Sequence, residues 1–517
     1  MVIKIALLVV FFSVMLGIGV YSRNKAKNVN DYVLGGRTVG PWISAFAFGT
    51  SYFSSVVFIG YAGQFGWKFG LSSTWIGLGN AFIGSLLAWL VLGRRTRLMT
   101  QKLDAKTMPE YFGKRFDSKA LRVVGSVVAF IFLVPYTAGV YNGLSRLFGM
   151  AFDIDYRICV IVMALLTGAY VVIGGYMATA LNDFVQGIIM LIGICAVIFA
   201  VLNGQGGFLN AVKELSNIAT DPAVTTPALQ ESQGLFASFF GPDPLALLGV
   251  IVLTSLGTWG LPQMVQKFYA IKDEKAVKTG TVVSTFFAII IAGGCYFLGG
   301  FGRLFGGEPG IHITNADGTP GIAFDNIVPT MLSTLPDILI GIVVVLVFSA
   351  SMSTLSSLVL TSSSTLTLDL IKPVLKKDMK EKTQVRLMQV LVMVFIIISV
   401  VIAFNPPTFI AQLMGYSWGA LAGAFLAPFM YGLYSKKITS AAVWTSYILG
   451  VGFTVVNMFF PIIQSPINAG AVTMVAGLII VPIVSAITPK PDQGKVEEMF
   501  TCYEKTVTVP ERENLGS

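Results

Sequence analysis

Charge is scarce in this chain. Only 12% of its 517 residues are Asp, Glu, Lys or Arg, about half the share of a soluble domain, while 55% are hydrophobic and the mean hydropathy is +0.77. Histidine occurs once, at His312, and the four cysteines (Cys159, Cys195, Cys295 and Cys502) stand far apart with no CxxC or Cys/His spacing. That pattern argues against a zinc site or a disulfide framework. No phosphate loop and no nucleophile constellation is present, so the chain does not read as an enzyme. The net charge of +9 is spread over six separate loops, which argues against nucleic-acid binding.

What the chain has instead is apolar runs of about 20 residues, the length that crosses a hydrocarbon core. They predict an all-α polytopic membrane protein of thirteen spans, at 2–21, 41–63, 73–93, 121–149, 156–175, 183–203, 243–262, 277–301, 334–366, 384–404, 408–434, 438–461 and 466–487. The first run ends in YSRNKAK without a small-residue cleavage site and reads as an uncleaved helix rather than a signal peptide. Lys and Arg give the orientation. With the N-terminus outside, the inner segments 22–40, 94–119, 263–278, 367–386, 435–437 and 488–517 hold 28 of the 35. The outer loops 204–242 and 302–333 hold only Lys213 and Arg303, and Asp221, Glu231, Glu308, Asp317 and Asp325 make them acidic. The expectation is a multi-pass protein of the plasma membrane, N-terminus out and C-terminus cytoplasmic. GPDP (241–244) and NADGTPG (315–321) read as turns, and the polar tail after Pro489 as disordered.

Three spans are chemically unusual. The ninth carries Ser349, Ser351, Ser353, Thr354, Ser356, Ser357, Thr361, Ser362, Ser363, Ser364 and Thr365 in an otherwise apolar helix. Lipid offers a hydroxyl no partner, so one face must turn toward protein, water or an ion. Ala350, Ser353 and Thr354 share a face at i, i+3 and i+4. Neutral oxygens without carboxylates suit a weakly held monovalent cation, sodium first. The second span contains AFGTSYFSS (47–55), and the seventh LGTWGLPQ (256–263), where Gly257, Gly260 and Pro262 should break the helix. Matched breaks five spans apart point to a midplane site in a secondary transporter built from two repeats. Singly, each Gly is more often a packing residue, and the hydroxyls alone could back-bond within their helix.

With these residues in view, the chain resembles the sodium:solute symporter family. The resemblance rests on DYVLGGRTVGPW (31–42), GTSYFSS (49–55), GGYMATALNDFVQG (174–187), GLPQ (260–263), KDEKAVKTG (272–280) and ASMSTLSSLVLTSSSTLTLDL (350–370). It implies two inverted five-helix repeats with broken first helices, at 41–203 and 243–434. These are preceded by an extra helix and inner loop (1–40) and followed by two helices (438–487) and a cytoplasmic tail (488–517). It also implies a sodium site of the Thr50, Phe53 and Ala350 carbonyls with the Ser353 and Thr354 hydroxyls. Asp183 matches a family aspartate near the ion exit route, although as the first residue of span six it reads equally as a helix cap. Arg37 matches an arginine linked to ion coupling, or serves only as a topology charge. Members with a second sodium carry a serine where Ala350 stands, so one sodium per cycle is expected.

Tyr52, Ser54, Val57, Tyr136, Thr254, Thr258, Trp259 and Gln263 are the candidate solute-pocket residues. Tyr136 matches a tyrosine of the proline carriers, but those carriers have Asp at Tyr52 and Trp at Thr254, which speaks against proline. TSYFSSVVFIG and LNDFVQGIIMLIG sit closer to the pantothenate carriers. No buried Lys or Arg stands out as a partner for a carboxylate. The expected activity is sodium-coupled import of a small organic solute, such as pantothenate, a monocarboxylate or proline, by alternating access, with no obligate protein partner. Two other classes fit less well. A transporter-like sensor would need an output domain beyond the last span, and a facilitator or channel would need a continuous pore.

Overall fold

Backbone polar groups in a hydrocarbon core must be satisfied within their own segment, so each apolar run folds as a helix. The computed structural model describes residues 2–23, 26, 28–152, 155–220, 232–314, 318–405 and 410–504. Ten helices among them are long and apolar enough to cross a membrane. The count rises to eleven with the pair Pro244–Gly260 and Pro262–Tyr269, which bend by 47° at their junction.

The difference from thirteen predicted spans lies in two long helical stretches, Val56–Lys102 and Val160–Gly204, that run through predicted loops. The second belongs to the helix Tyr156–Gly204, whose one non-helical residue is Gly175 at φ 54° and ψ −147°. A side chain at that position would meet the Tyr32 ring and carbonyl, so glycine alone makes the turn without strain. The turn lies eight residues before Asp183. Asp183 is therefore interior to its helix and fully buried, and the reading of it as an N-terminal cap is wrong.

The first broken span runs as Pro41–Tyr52, leaves the helix at Phe53 (φ −97°, ψ 94°) and resumes in a wide π-helical turn, Val56–Tyr61, followed by Ala62–Phe69. Ser54 starts the second half. Its hydroxyl accepts from the Val56 amide at 3.1 Å, and its carbonyl from the Val57 and Phe58 amides at 3.0 Å. In the other broken span the helix parts at Leu261 (φ −81°, ψ 121°), since Pro262 lacks an amide proton and forces its predecessor out of the α region. Gly257 stays helical and gives space to Trp418, whose ring would stand 2.7 Å from a Cβ there.

The hydroxyl-rich helix Asp337–Thr365 lies at the centre, and every residue from Val343 to Thr365 except Val345 is buried. It packs on Val2–Ser22, Pro41–Tyr52, Lys119–Phe152 and Tyr156–Gly204. Outside this core, the sequence-predicted turns carry more structure than expected. The two long loops predicted to lie outside hold the helices Phe208–Ser216 and Phe324–Ser333 and a short hairpin pairing His312–Thr314 with Pro320–Ile322. GPDP starts a helix, with Asp243 capping the Ala246 amide and Pro244 in the first turn. Asp221, Glu231 and Asp317 lie outside the described residues.

The tail is not disordered throughout. Gln493–Phe500 is helical and docks on the helix bundle, with the Arg115 guanidinium 5.2 Å from the Phe500 ring and the Arg95 guanidinium 4.5 Å from the Tyr503 ring.

Candidate functional site

The break at Phe53 and the hydroxyl-rich helix meet. The Thr354 hydroxyl stands 3.2 Å from the Ser51 carbonyl, 3.4 Å from that of Thr50 and 3.2 Å from that of Ala350 on its own helix. Ser353 Oγ donates to Thr50 Oγ1 at 2.8 Å, and Ser51 and Ser357 hydroxyls pair at 2.8 Å. All of these groups are buried. Helix ends leave carbonyls without amide partners, so the oxygens here come from a broken backbone and from side chains together. Phe53 and Ala350 line one small internal cavity with Ser54, Phe58, Met190 and Ile194. This cluster of neutral oxygens fits a monovalent hard cation. Further along the helix, Ser363 and Ser364 donate to their own helix at Leu360 and Thr361.

Beside the junction, sequence reasoning missed a charge. Lys267, counted as one of the inner-loop lysines, is buried on Pro262–Tyr269 with Nζ 3.3 Å from Asp183 Oδ2. The sequence reading found no buried Lys or Arg for a solute carboxylate; Lys267 is buried, but its partner is the protein's own Asp183. A signal was available, because Gln263 and Lys267 stand at i and i+4 on an amphipathic turn that follows a predicted break. A second ion-pair cluster sits just past the C-terminal end of the hydroxyl-rich helix. Arg122 Nε meets Asp369 Oδ1 at 2.7 Å and its Nη2 meets Glu110 Oε1 at 3.1 Å, while Thr107 donates to Asp369 Oδ2.

Arg37, at φ 57°, forms neither ion pair. Its guanidinium donates to the carbonyls of Tyr269, Thr100 and Ala105 at 3.1, 3.3 and 2.7 Å and to Thr100 Oγ1 at 3.3 Å. Burial pulls its pKa below the ordinary arginine value, against the pull of Asp104. The neighbouring Val39 pairs with Ile271 as a short parallel bridge, so this inner loop is laced to the end of the second broken span.

The predicted pocket residues are all buried, but they divide. Tyr52 donates to the Thr254 carbonyl at 2.5 Å and lies 5.7 Å from the Trp418 ring, as does Tyr136. Tyr61, which the sequence reading omitted, completes this aromatic group at 6.5 Å. By contrast, Thr258 bonds the Gly84 carbonyl at 3.0 Å and Trp259 Nε1 the Ile83 carbonyl at 3.0 Å, turned toward a different helix. The Ser54 hydroxyl is occupied by the Val56 amide. Val57 sits in the π turn. Gln263, at both ends of its amide, the Tyr61 hydroxyl and Trp418 Nε1 are buried without hydrogen-bond partners among the described residues.

A bundle with two broken spans and a buried, oxygen-rich junction between a break and a neighbouring helix has the features of a secondary transporter. The model of the sodium:solute symporter family matches residues 32–450, and the chain belongs to this family. Sodium is accordingly its coupling ion, and the chain is a multi-pass membrane transporter. It is 29% identical over 505 residues to the osmoregulated proline transporter OpuE of Bacillus subtilis, covering 96% of this chain and 97% of that one. It is 30% identical over 499 residues to a sodium/proline symporter of Staphylococcus aureus, covering 94% and 92%. Among solved structures it is similar in fold to a sodium-coupled sialic acid symporter in a substrate-bound outward-open state, with a TM-score of 0.74, 18% identity and coverage of 95% and 99%. The nucleobase-cation-symport-1 transporter Mhp1 in a closed conformation follows, with a TM-score of 0.53, 12% identity and coverage of 92% and 98%.

Proposed function

We propose that this chain imports a small amino acid or organic acid, proline-like in size, by sodium-driven alternating access. The observation that carries the reading is the Thr354 hydroxyl held among three carbonyls where the first broken span meets the hydroxyl-rich helix. In this reading the Thr50, Phe53 and Ala350 carbonyls and the Ser353 and Thr354 hydroxyls bind sodium. Tyr52, Tyr136 and Thr254 border the solute with Tyr61 and Trp418, and Gln263 supplies an amide. Buried donors and acceptors left unpaired at Tyr61, Trp418 and Gln263 support a polar ligand there, since such groups are otherwise costly. The proline carriers among the relatives favour proline over pantothenate, while Tyr52 and Thr254 make the pocket differ from theirs.

The same reading counts thirteen crossings. A 49-residue helix spans about 70 Å, twice a hydrocarbon core, so Tyr156–Gly204 crosses twice about Gly175. Spans two to six and seven to eleven (41–203 and 243–434) then form inverted repeats, with the N-terminus outside and the docked tail in the cytoplasm.

Uptake into proteoliposomes of labelled proline, pantothenate, acetate, pyruvate, glucose and sialic acid, with and without an inward sodium gradient, tests the reading. Sodium-dependent accumulation of one solute is the expected result; movement indifferent to sodium would overturn it in favour of a facilitator. Arg37 gives a separate test. Arg37→Lys keeps the charge and loses most of the four hydrogen bonds that lace the inner side, so initial uptake should fall about tenfold with folded protein unchanged. Were Arg37 only a topology charge, the rate would stay as it is.

A further inference from the structure

Lys267 has no part in the reaction as described, yet it stands one residue away from it. Its ammonium is 3.3 Å from Asp183 Oδ2 and 5.2 Å from the centroid of the Tyr176 ring, with the lysine side chain 3% exposed and the aspartate 0%. The other carboxylate oxygen, Asp183 Oδ1, has no hydrogen-bond partner among the described residues. The Ser353 hydroxyl, which bonds Thr50 in the sodium junction, is also within electrostatic reach of Asp183. One serine thus separates the neutral oxygen cluster from a buried carboxylate that already holds a cation.

A buried carboxylate requires a compensating positive charge, and removing a partner leaves an uncompensated ion that costs several kcal/mol. Two cations can meet that need here, namely the ammonium of Lys267 and a sodium ion passing Ser353. They cannot both sit against Asp183 without repelling each other. Lys267 also has an alternative resting place, because the face of Tyr176 can hold an ammonium that has let go of the carboxylate. Lys267 lies on the inner half of the second broken span and Asp183 on Tyr156–Gly204, so the contact ties those two elements together.

We propose that Lys267 is a tethered counter-cation that competes with sodium for Asp183 and thereby sets sodium affinity and the ease of inward release. With sodium absent, the lysine neutralises Asp183 and holds the inner half-helix against its neighbour. As sodium moves inward past Ser353, it weakens that pair and loosens the half-helix. Lys267 acts through Asp183 and is a positioning residue. This inference rests on the sodium-symport reading above.

The test compares unmodified protein with Lys267→Gln and Lys267→Arg in proteoliposomes at graded sodium. Lys267→Gln removes the competitor and should lower the sodium concentration for half-maximal uptake about fivefold or more. Lys267→Arg offers a bidentate, more firmly held partner and should raise it severalfold. Opposite shifts would not arise from a merely structural lysine. Thermal unfolding gives a readout independent of transport, since sodium against choline should stabilise Lys267→Gln more than the unmodified protein. If Lys267→Gln is not recovered folded, the arginine variant alone decides. Half-saturation unchanged or shifted the same way in the recovered variants would overturn the inference while leaving symport intact. Sodium-indifferent uptake by the unmodified protein would overturn both.

Discussion

Replacing Ser353 and Thr354 together by alanine should raise the sodium concentration for half-maximal uptake about thirtyfold, with each hydroxyl contributing about 1 kcal/mol. Both groups reach across to the broken span, Ser353 to Thr50 and Thr354 to the Thr50 and Ser51 carbonyls. Their loss therefore removes two of the oxygens proposed to bind sodium and part of the attachment between the two helices. Two controls separate the effects. Ser363→Ala deletes a hydroxyl that bonds only within its own helix and should leave sodium dependence unchanged. Thr354→Ser keeps the oxygen and should largely preserve it. Unaltered sodium dependence in the double variant would remove this cluster as the ion site.

Gly66→Ala should prevent accumulation of folded protein. A Cβ at Gly66 would stand 1.9 Å from the Gly299 carbonyl oxygen and 2.1 Å from its carbon, both backbone atoms that no rotamer change can move aside. Here the helix Ala62–Phe69, just past the first break, lies directly on the end of Gly294–Gly299. Separating them costs about 3 kcal/mol or more, a large part of the stability of most proteins. Folded yield and thermal midpoint in detergent check this, with Gly307→Ala, which would meet open space, as the control. Normal yield and midpoint for Gly66→Ala would mean that the two helices sit further apart than described.

Hydropathy and the spacing of small and hydroxyl residues carried most of the architecture. The helical, membrane-crossing character of the apolar runs, the two breaks and the face bearing Ala350, Ser353 and Thr354 all follow from local pattern, because lipid leaves so few alternatives for backbone and hydroxyl groups. Where the reading failed, a local pattern had two tertiary outcomes. Gly257 looked like a helix breaker, yet it is a notch for Trp418, and the break falls four residues on at Leu261, forced by Pro262. Lys267 looked like a topology charge because a span that breaks and turns inward has the composition of a loop. Asp183 looked like a cap because the helix was started seven residues late, at Asp183 itself rather than just past Gly175. Which pocket candidates face Trp418 and which face Ile83 and Gly84 depends on how the halves pack, and no spacing rule encodes that.

If the tail lies in the cytoplasm, as proposed above, its docking has a consequence for a cell whose internal salt rises and falls. Its two ion pairs, Lys495 with Asp117 at 2.8 Å and Lys102 with Glu498 at 3.8 Å, are largely exposed, and counter-ions screen such pairs readily. Its ring contacts are sheltered. Phe500 is 8% exposed beneath Arg115 and Lys436, and the Tyr503 hydroxyl also bonds the Arg95 carbonyl at 3.3 Å. The attachment is thus built from two materials with different responses to electrolyte. Concentrated cytoplasm would loosen the outer edge of Gln493–Phe500 while Phe500 and Tyr503 keep its far end fastened, a graded swing about an anchored point.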